Sequence, residues 1–523
     1  MSTRHTHKKR QQEYLAYQPL RPGGQVVEVP TRLLGPLYHL LSEQLEDTDL
    51  TDRQRWDLAG ILLDFSADLH AQGGLWSTYE RYNRQWFGTP LPLTLEKESS
   101  LPLGLHLERI RHLLWVMILE MTDGSPWSPS DKRLRRLSET VYVFLTERLP
   151  SLPNNASVKA FLQTPNEHAW DVKRKLAWLG TKSYLFRLFY RQYLQEQTGG
   201  TFDIGHTDDF ICQRCTAWSG LGVVDILAGA LDISEDEQNE LRQWYERHAA
   251  PYLILSANKE VLEARNIIND QSYTVRMNDD RLPFRAGDLV IGSLTPWRGQ
   301  WYWSGEQRRF KKATASLMAQ VKQTMIRRSS GLIYRYCPER EQQARNLMAQ
   351  HHEEALTFYG TDLMVYPDGL TMAADWQREL RQKWEAQSPE KIKEVMKRHE
   401  MKHPRPDIAL PRELLDSNDG LGVFYHPEEG QEIMEHFHDL VEGFQRQGAD
   451  LTDGQEEVIG GFMRSESISP AFVLRMVKEY GDAALQRTFR LEDTQANYCL
   501  YYLLRRYKVH FFRKRYPAIS VVE

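Results

Sequence analysis

Tyr252-Leu-Ile-Leu-Ser256, Val261-Leu-Glu-Ala-Arg-Asn266, Tyr273-Thr-Val-Arg-Met277, Asp288-Leu-Val-Ile-Gly-Ser-Leu294 and Gln300-Trp-Tyr-Trp-Ser304 are short runs rich in β-branched and aromatic residues. Asn, Asp, Gly or Pro separates each run from the next, the pattern of consecutive antiparallel strands. The runs predict a compact β-barrel of the OB or SH3-like kind over residues 251–310. Neighbouring residues on a strand point to opposite faces, so Trp297, Trp301, Tyr302 and Trp303 place aromatic rings on both sides of the last strand. At least one ring is then exposed or covered by another domain.

Outside this insert the rhythm is helical. From Thr31 to about residue 250 apolar residues recur at three- and four-residue spacing, as in Leu105, Ile110, Leu113, Leu114, Met117 and Ile118. Pro or Gly punctuates the stripes at Gly124, Pro126, Pro150, Pro153, Gly199 and Gly200. A basic helix follows the barrel, with Leu317, Met318, Val321, Met325 and Ile326 on its apolar stripe and Lys322, Arg327 and Arg328 off it. Beyond it, Asp362–Tyr366 reads as a strand ended by Pro367-Asp368-Gly369, and capping signals at Ser388-Pro389, Thr452-x-x-Gln455 and Ser469-Pro470 open helices. The predicted organisation is a basic arm (1–30), an all-helical domain (31–250), the barrel, a helical connector with one short strand (311–403) and a C-terminal helical domain (404–523). The fold class is mainly α with a small inserted barrel, α+β overall.

The chain of 523 residues is 41% hydrophobic and 26% charged, the mixture of a folded globular protein. Its 66 Lys and Arg against 71 Asp and Glu give a formal net charge of -5, so a nucleic-acid partner would have to be met by a local patch. Cys212, Cys215, Cys337 and Cys499 are too few and too uneven for a secreted disulfide framework, which favours a reducing compartment. The start has no apolar core of signal-peptide length, and no apolar run reaches the roughly 18 residues of a membrane span. A cytoplasmic location without membrane contact is expected.

His399-Glu400-Met401-Lys402-His403 satisfies the HExxH pattern, in which two histidines one turn apart bind zinc and the Glu activates its water. Lys393, Lys397, Arg398, Lys402 and Arg405 crowd the same stretch, and cations beside a dication oppose it. Pro404 ends the helix, and the third histidine of the longer pattern is absent. A solvent-facing helix end is the simpler reading. Cys212-x-x-Cys215, with His206 upstream, lacks the fourth ligand of a closed zinc site and reads as two small buried residues. His351-His352 and His436-x-His438 point too far apart on a helix to share a metal. Phosphate loops and a G-x-S-x-G elbow are missing.

Basic and aromatic residues interleave near Arg505, Arg506 and Lys508, and Arg276, Arg281, Arg285 and Arg298 accompany the barrel's tryptophans. Such mixtures neutralise phosphates and stack on bases, although helical spacing of Leu500, Leu503, Leu504, Tyr507 and Phe511 also fits a core with a solvated basic face.

The run Arg285-Ala-Gly-Asp-Leu-Val-Ile-Gly-Ser-Leu294, followed by Trp297-x-Gly-Gln-Trp-Tyr-Trp-Ser-Gly305, resembles a bacterial family of proteins built on a domain of unknown function. Tyr359-Gly-x-Asp-Leu-Met-Val-Tyr366 and Leu503-Leu-Arg-Arg-Tyr-Lys508 are similar to it as well. The resemblance implies a bacterial cytoplasmic protein and brings no catalytic residue.

The expected function is a non-catalytic binding or regulatory protein presenting the barrel to a macromolecular partner, most simply a protein, with Trp297, Arg298, Trp301 and Trp303 as contacts and no cofactor. One alternative is a zinc hydrolase with His399 and His403 as ligands and Glu400 as base. Another is a nucleic-acid-binding protein using the barrel or Arg505, Arg506 and Lys508.

Overall fold

The computed structural model describes residues 3–19, 31–95, 101–122, 127–148, 156–247, 249–277, 283–398, 410–494 and 496–519. They form two compact units, Met1–Tyr336 with Arg490–Phe512, and Cys337–Phe489 with Arg513–Glu523. The chain is mainly helical, with a closed five-stranded barrel near its middle and a separate three-stranded sheet, an α+β protein.

In the first unit, the apolar stretch Leu113–Met121 lies on the helix Leu107–Met121, whose Ile110, Leu113, Leu114, Val116 and Met117 are fully buried. A helix apolar nearly all round belongs in the middle of a core. The helix Asp52–Ala71 beside it opens on a capping box formed by Thr51 and Gln54. Near its end the Asp68 carboxylate accepts the Trp76 backbone N–H at 2.9 Å and the Tyr184 hydroxyl at 2.8 Å. It thereby satisfies a donor at the start of the helix Leu75–Phe87, which Gly74 leaves without a side-chain cap.

The barrel comprises β1 (Ala250–Ala257), β2 (Val261–Asn266), β3 (Ser272–Arg276), β4 (Leu289–Trp297) and β5 (Gln300–Phe310). Its closed order is β1-β2-β3-β5-β4, with β1 antiparallel to both β2 and β4, and β3 meeting β5 in parallel at Val275 and Trp301. This Greek-key order is that of an OB-type barrel rather than an SH3-type meander. Leu262, Ala264, Tyr273 and Val275 face inward, while the register partners Glu263 and Thr274 face outward and share a 2.8 Å hydrogen bond. Register shifts at Ile254/Ser256 and Ile291/Ser293 supply the bends that let so short a sheet close. Arg298 and Gly299, at φ of 51° and 71°, make the two-residue turn between β4 and β5.

The second unit is built around β6 (Leu363–Tyr366), β7 (Leu421–His426) and β8 (Gly430–Glu435), in that order and antiparallel. Met364, Tyr366, Met372, Leu421 and Val423 form its core. Thr452 and Ser469 cap the helices Asp453–Arg464 and Pro470–Tyr480 as their sequence signals indicate. The sequence reading has only the first of these strands. In β7, Gly422 replaces an apolar residue because the Phe437 ring would lie 2.3 Å from a Cβ there, and in β8 the buried residue is the polar Glu432 while Ile433 and Met434 are only half-buried. Both features erase the alternation that marks a strand. Residues 490–512, assigned by the sequence reading to the C-terminal helical domain, belong to the first unit.

Candidate functional site

The structure removes Trp297 from the barrel's surface. Its ring is fully buried and its indole N–H donates to the Asn166 carbonyl at 2.9 Å, while Trp244 donates to the Pro296 carbonyl at 2.7 Å. Two indoles thus pin the end of β4 to the helical part of the unit. Arg298 is exposed, but its guanidinium pairs with Glu237 at 2.7 Å. The Glu240 carboxylate accepts the backbone N–H groups of Arg298, at 2.5 Å, and Gly299, at 3.1 Å. This acidic clamp holds a non-glycine residue in the left-handed region at the turn.

Trp301 and Trp303 are half-buried and turn toward the barrel interior. Trp301 stands edge-on to Tyr273 at 4.9 Å and to Tyr336 at 5.2 Å, and Trp303 stands edge-on to Tyr252 at 5.6 Å. Tyr302, between them, points outward and meets Trp170 at 5.3 Å. The aromatic rings lie on both faces of β5, and the outward one is covered by the helix Ala169–Lys182.

The C-terminal basic residues are not a solvated face either. Arg505 is buried with its guanidinium 3.5 Å from the centre of the Trp86 ring, Arg506 pairs with Glu120, and Lys508 is fully buried. These three cations have partners or cover within the first unit, as the helical spacing of the neighbouring apolar residues allows.

His399, Glu400 and His403 lie outside the described residues. Among the described residues no group of three or more His, Cys, Asp and Glu side chains could hold a metal ion. Cys212 is buried, 3.4 Å from the Lys173 ammonium, and burial pushes its thiol up, so it is protonated and poorly nucleophilic. Around it, Asp208 pairs with Lys173 and with Arg247 at 2.5 Å, and Arg247 reaches Asp209 at 2.6 Å. Burial alone would raise the Asp208 pKa, but the two cations outweigh it and hold the carboxyl below its usual range. The cluster fastens the barrel strand β5, through Ser304, to the helix Ile204–Gln213.

Another polar site that sequence reasoning missed is His112, buried in the helical core, with Tyr79 at 2.6 Å on Nε2 and Thr94 at 2.9 Å on Nδ1. Burial, helped by Arg111, lowers its pKa to about 3. A histidine inside the apolar helix Leu107–Met121 is the only hint the sequence carries.

What the barrel does expose is charge. Between Glu306 and Glu339 there is no acidic residue, while Arg308, Arg309, Lys311, Lys312, Lys322, Arg327, Arg328 and Arg335 fall in that span. Arg309 pairs with Asp288 at 2.6 Å. Among the described residues Lys311, Lys312, Lys322, Arg327 and Arg328 have no acidic partner within ion-pair distance. The helix Ala315–Arg328 carries the last three, with Thr314 capping its start at 3.3 Å from the Leu317 N–H. The helix lies beside β1 and the turn Ser330–Ile333, its apolar stripe is half-buried, and none of its residues is fully buried. Phe310, half-buried at the end of β5, lies under the Arg308 guanidinium at 5.1 Å.

No protein-family model, curated protein or solved structure matches this chain. No helix among the described residues is long and apolar enough to cross a membrane.

Proposed function

We propose that the protein is a non-catalytic binding protein whose barrel, extended by the helix Ala315–Arg328, engages single-stranded nucleic acid. The observation that carries this reading is the acid-free basic span, in which Lys311, Lys312, Lys322, Arg327 and Arg328 are among the described cations without an acidic partner, on a chain whose overall charge is negative. Unpaired Lys and Arg neutralise phosphates, and half-exposed rings such as Phe310 offer stacking surface to any base. The protein-partner reading centred on Trp297, Arg298, Trp301 and Trp303 has less support, since Trp297 is fully buried and Trp301 and Trp303 are half-buried against Tyr273 and Tyr252.

The test is fluorescence anisotropy with a labelled single-stranded oligonucleotide at rising salt. Binding should weaken with a log–log slope of about -0.7 for each phosphate contacted. Joint replacement of Lys311, Lys312, Arg327 and Arg328 by Gln should lower affinity at least tenfold and flatten that slope, with the circular dichroism spectrum unchanged. Absence of binding at low salt, or equal binding by the variant, rejects the reading.

A further inference from the structure

Arg335 is 3% exposed and has no carboxylate partner among the described residues. Its backbone carbonyl is held by the Asn269 amide at 2.6 Å, and one guanidinium nitrogen, Nη2, donates to the Leu294 carbonyl at 3.3 Å. The Nε and Nη1 atoms are buried and have no carbonyl or carboxylate acceptor among the described residues. The Tyr336 hydroxyl is buried beside that guanidinium and interacts with it, its ring centre 5.2 Å away. The Trp303 indole N–H, on a ring packed against Tyr252, is buried without a partner among the described residues.

The guanidinium and the indole N–H are donors, and both lie near Tyr252 at one end of the barrel. Buried polar groups are ordinarily satisfied, and a buried cation without a counter-charge is more costly than an apolar side chain of the same volume. Tyr336 also holds φ at 57°, an uncommon conformation for a bulky residue that keeps Arg335 and Tyr336 turned as they are. Donors without acceptors select an acceptor, and a fixed guanidinium fork selects a planar or tetrahedral oxyanion. Trp301 and Tyr336, both half-buried, stand edge-on to each other at 5.2 Å beside the fork.

We propose that this end of the barrel binds a small oxyanion, a carboxylate or a phosphate, on the Arg335 guanidinium, independently of the basic helix. The test is urea unfolding of the full chain in inorganic phosphate or acetate, each against chloride at equal ionic strength. The effective anion identifies the class. At ten times its dissociation constant that anion should lower the unfolding equilibrium constant about elevenfold. In Arg335→Met the dependence should vanish, with stability in chloride no lower than that of the parent. Should Arg335→Met not fold, Arg335→Lys, which keeps charge but loses the fork, should weaken the anion effect at least fivefold. The Lys311, Lys312, Arg327 and Arg328 replacements should leave the effect intact, which separates this site from the nucleic-acid surface. Equal stability in all three salts, an undiminished effect in the Arg335 variants, or its loss in the basic-helix variant overturns the proposal.

Discussion

The Ser304 hydroxyl on β5 donates to the Asp208 carboxylate on the helix Ile204–Gln213 at 2.9 Å, and the Lys173 ammonium donates to the same hydroxyl at 2.8 Å. A barrel strand and two helices therefore share one buried charge cluster. Gly305 follows because a Cβ there would lie 2.6 Å from the Asp208 carboxylate.

Removing the anion from this cluster leaves Lys173 and Arg247 uncompensated. Asp208→Asn should cost about 3–5 kcal/mol of stability at neutral pH, measured by urea denaturation. The native carboxyl titrates below the unfolded one, so its contribution is complete above about pH 4 and fades as pH falls through the native value. The variant should lack that component of acid sensitivity, and a variant as stable as the parent at pH 7 would show the cluster to be dispensable.

His112 is neutral in the folded chain because its pKa is lowered to about 3, whereas the unfolded chain takes up its proton near the ordinary value. Its stabilising contribution is therefore full above about pH 6.5 and declines by up to about 1.4 kcal/mol per pH unit as pH falls toward 3. Ring-carbon NMR shifts of His112 should stay flat from pH 8 to pH 5. A midpoint near 6.5 would contradict the burial.

Trp297→Ala should lower stability by about 3–5 kcal/mol, since it empties a fully buried site and strands the Asn166 carbonyl. Calorimetry should register that loss with no ligand present. A variant that melts with the parent would place the indole at the surface after all.

Gly220 adopts a φ of +76°, and a Cβ there would stand 2.0 Å from the Arg505 carbonyl oxygen. Gly220→Ala should cost more than about 1 kcal/mol from backbone strain alone, with the steric overlap in addition. Limited proteolysis should then cut the helix Cys499–Tyr507 first. Protection equal to that of the parent would disprove the packing.

The barrel was legible because alternation survives wherever one face is dry: Val261–Asn266 matches β2 to the residue, and the other four runs overlap their strands. What the residues of those strands touch was not legible. Trp297, Trp301 and Trp303 look like an exposed aromatic cluster in a linear sequence, yet their partners Asn166, Tyr273 and Tyr252 lie far away along the chain or across the sheet. The same holds for Arg505 and Arg506, whose basic character suggests solvent until Trp86 and Glu120 are placed beside them. Arg335 carries no sequence signal at all, because an unsatisfied donor is defined only by its surroundings.

The first unit is written in two instalments, and the second begins only at Arg490. During synthesis Trp86, Phe87 and Glu120 emerge long before Arg505, Tyr501 and Arg506, the side chains that cover them. The Cys337–Phe489 part of the second unit is translated in the meantime. Ribosomes stalled short of residue 490 should hold a first unit that is still open to chaperones and proteases, so its maturation is timed by the length of the insertion.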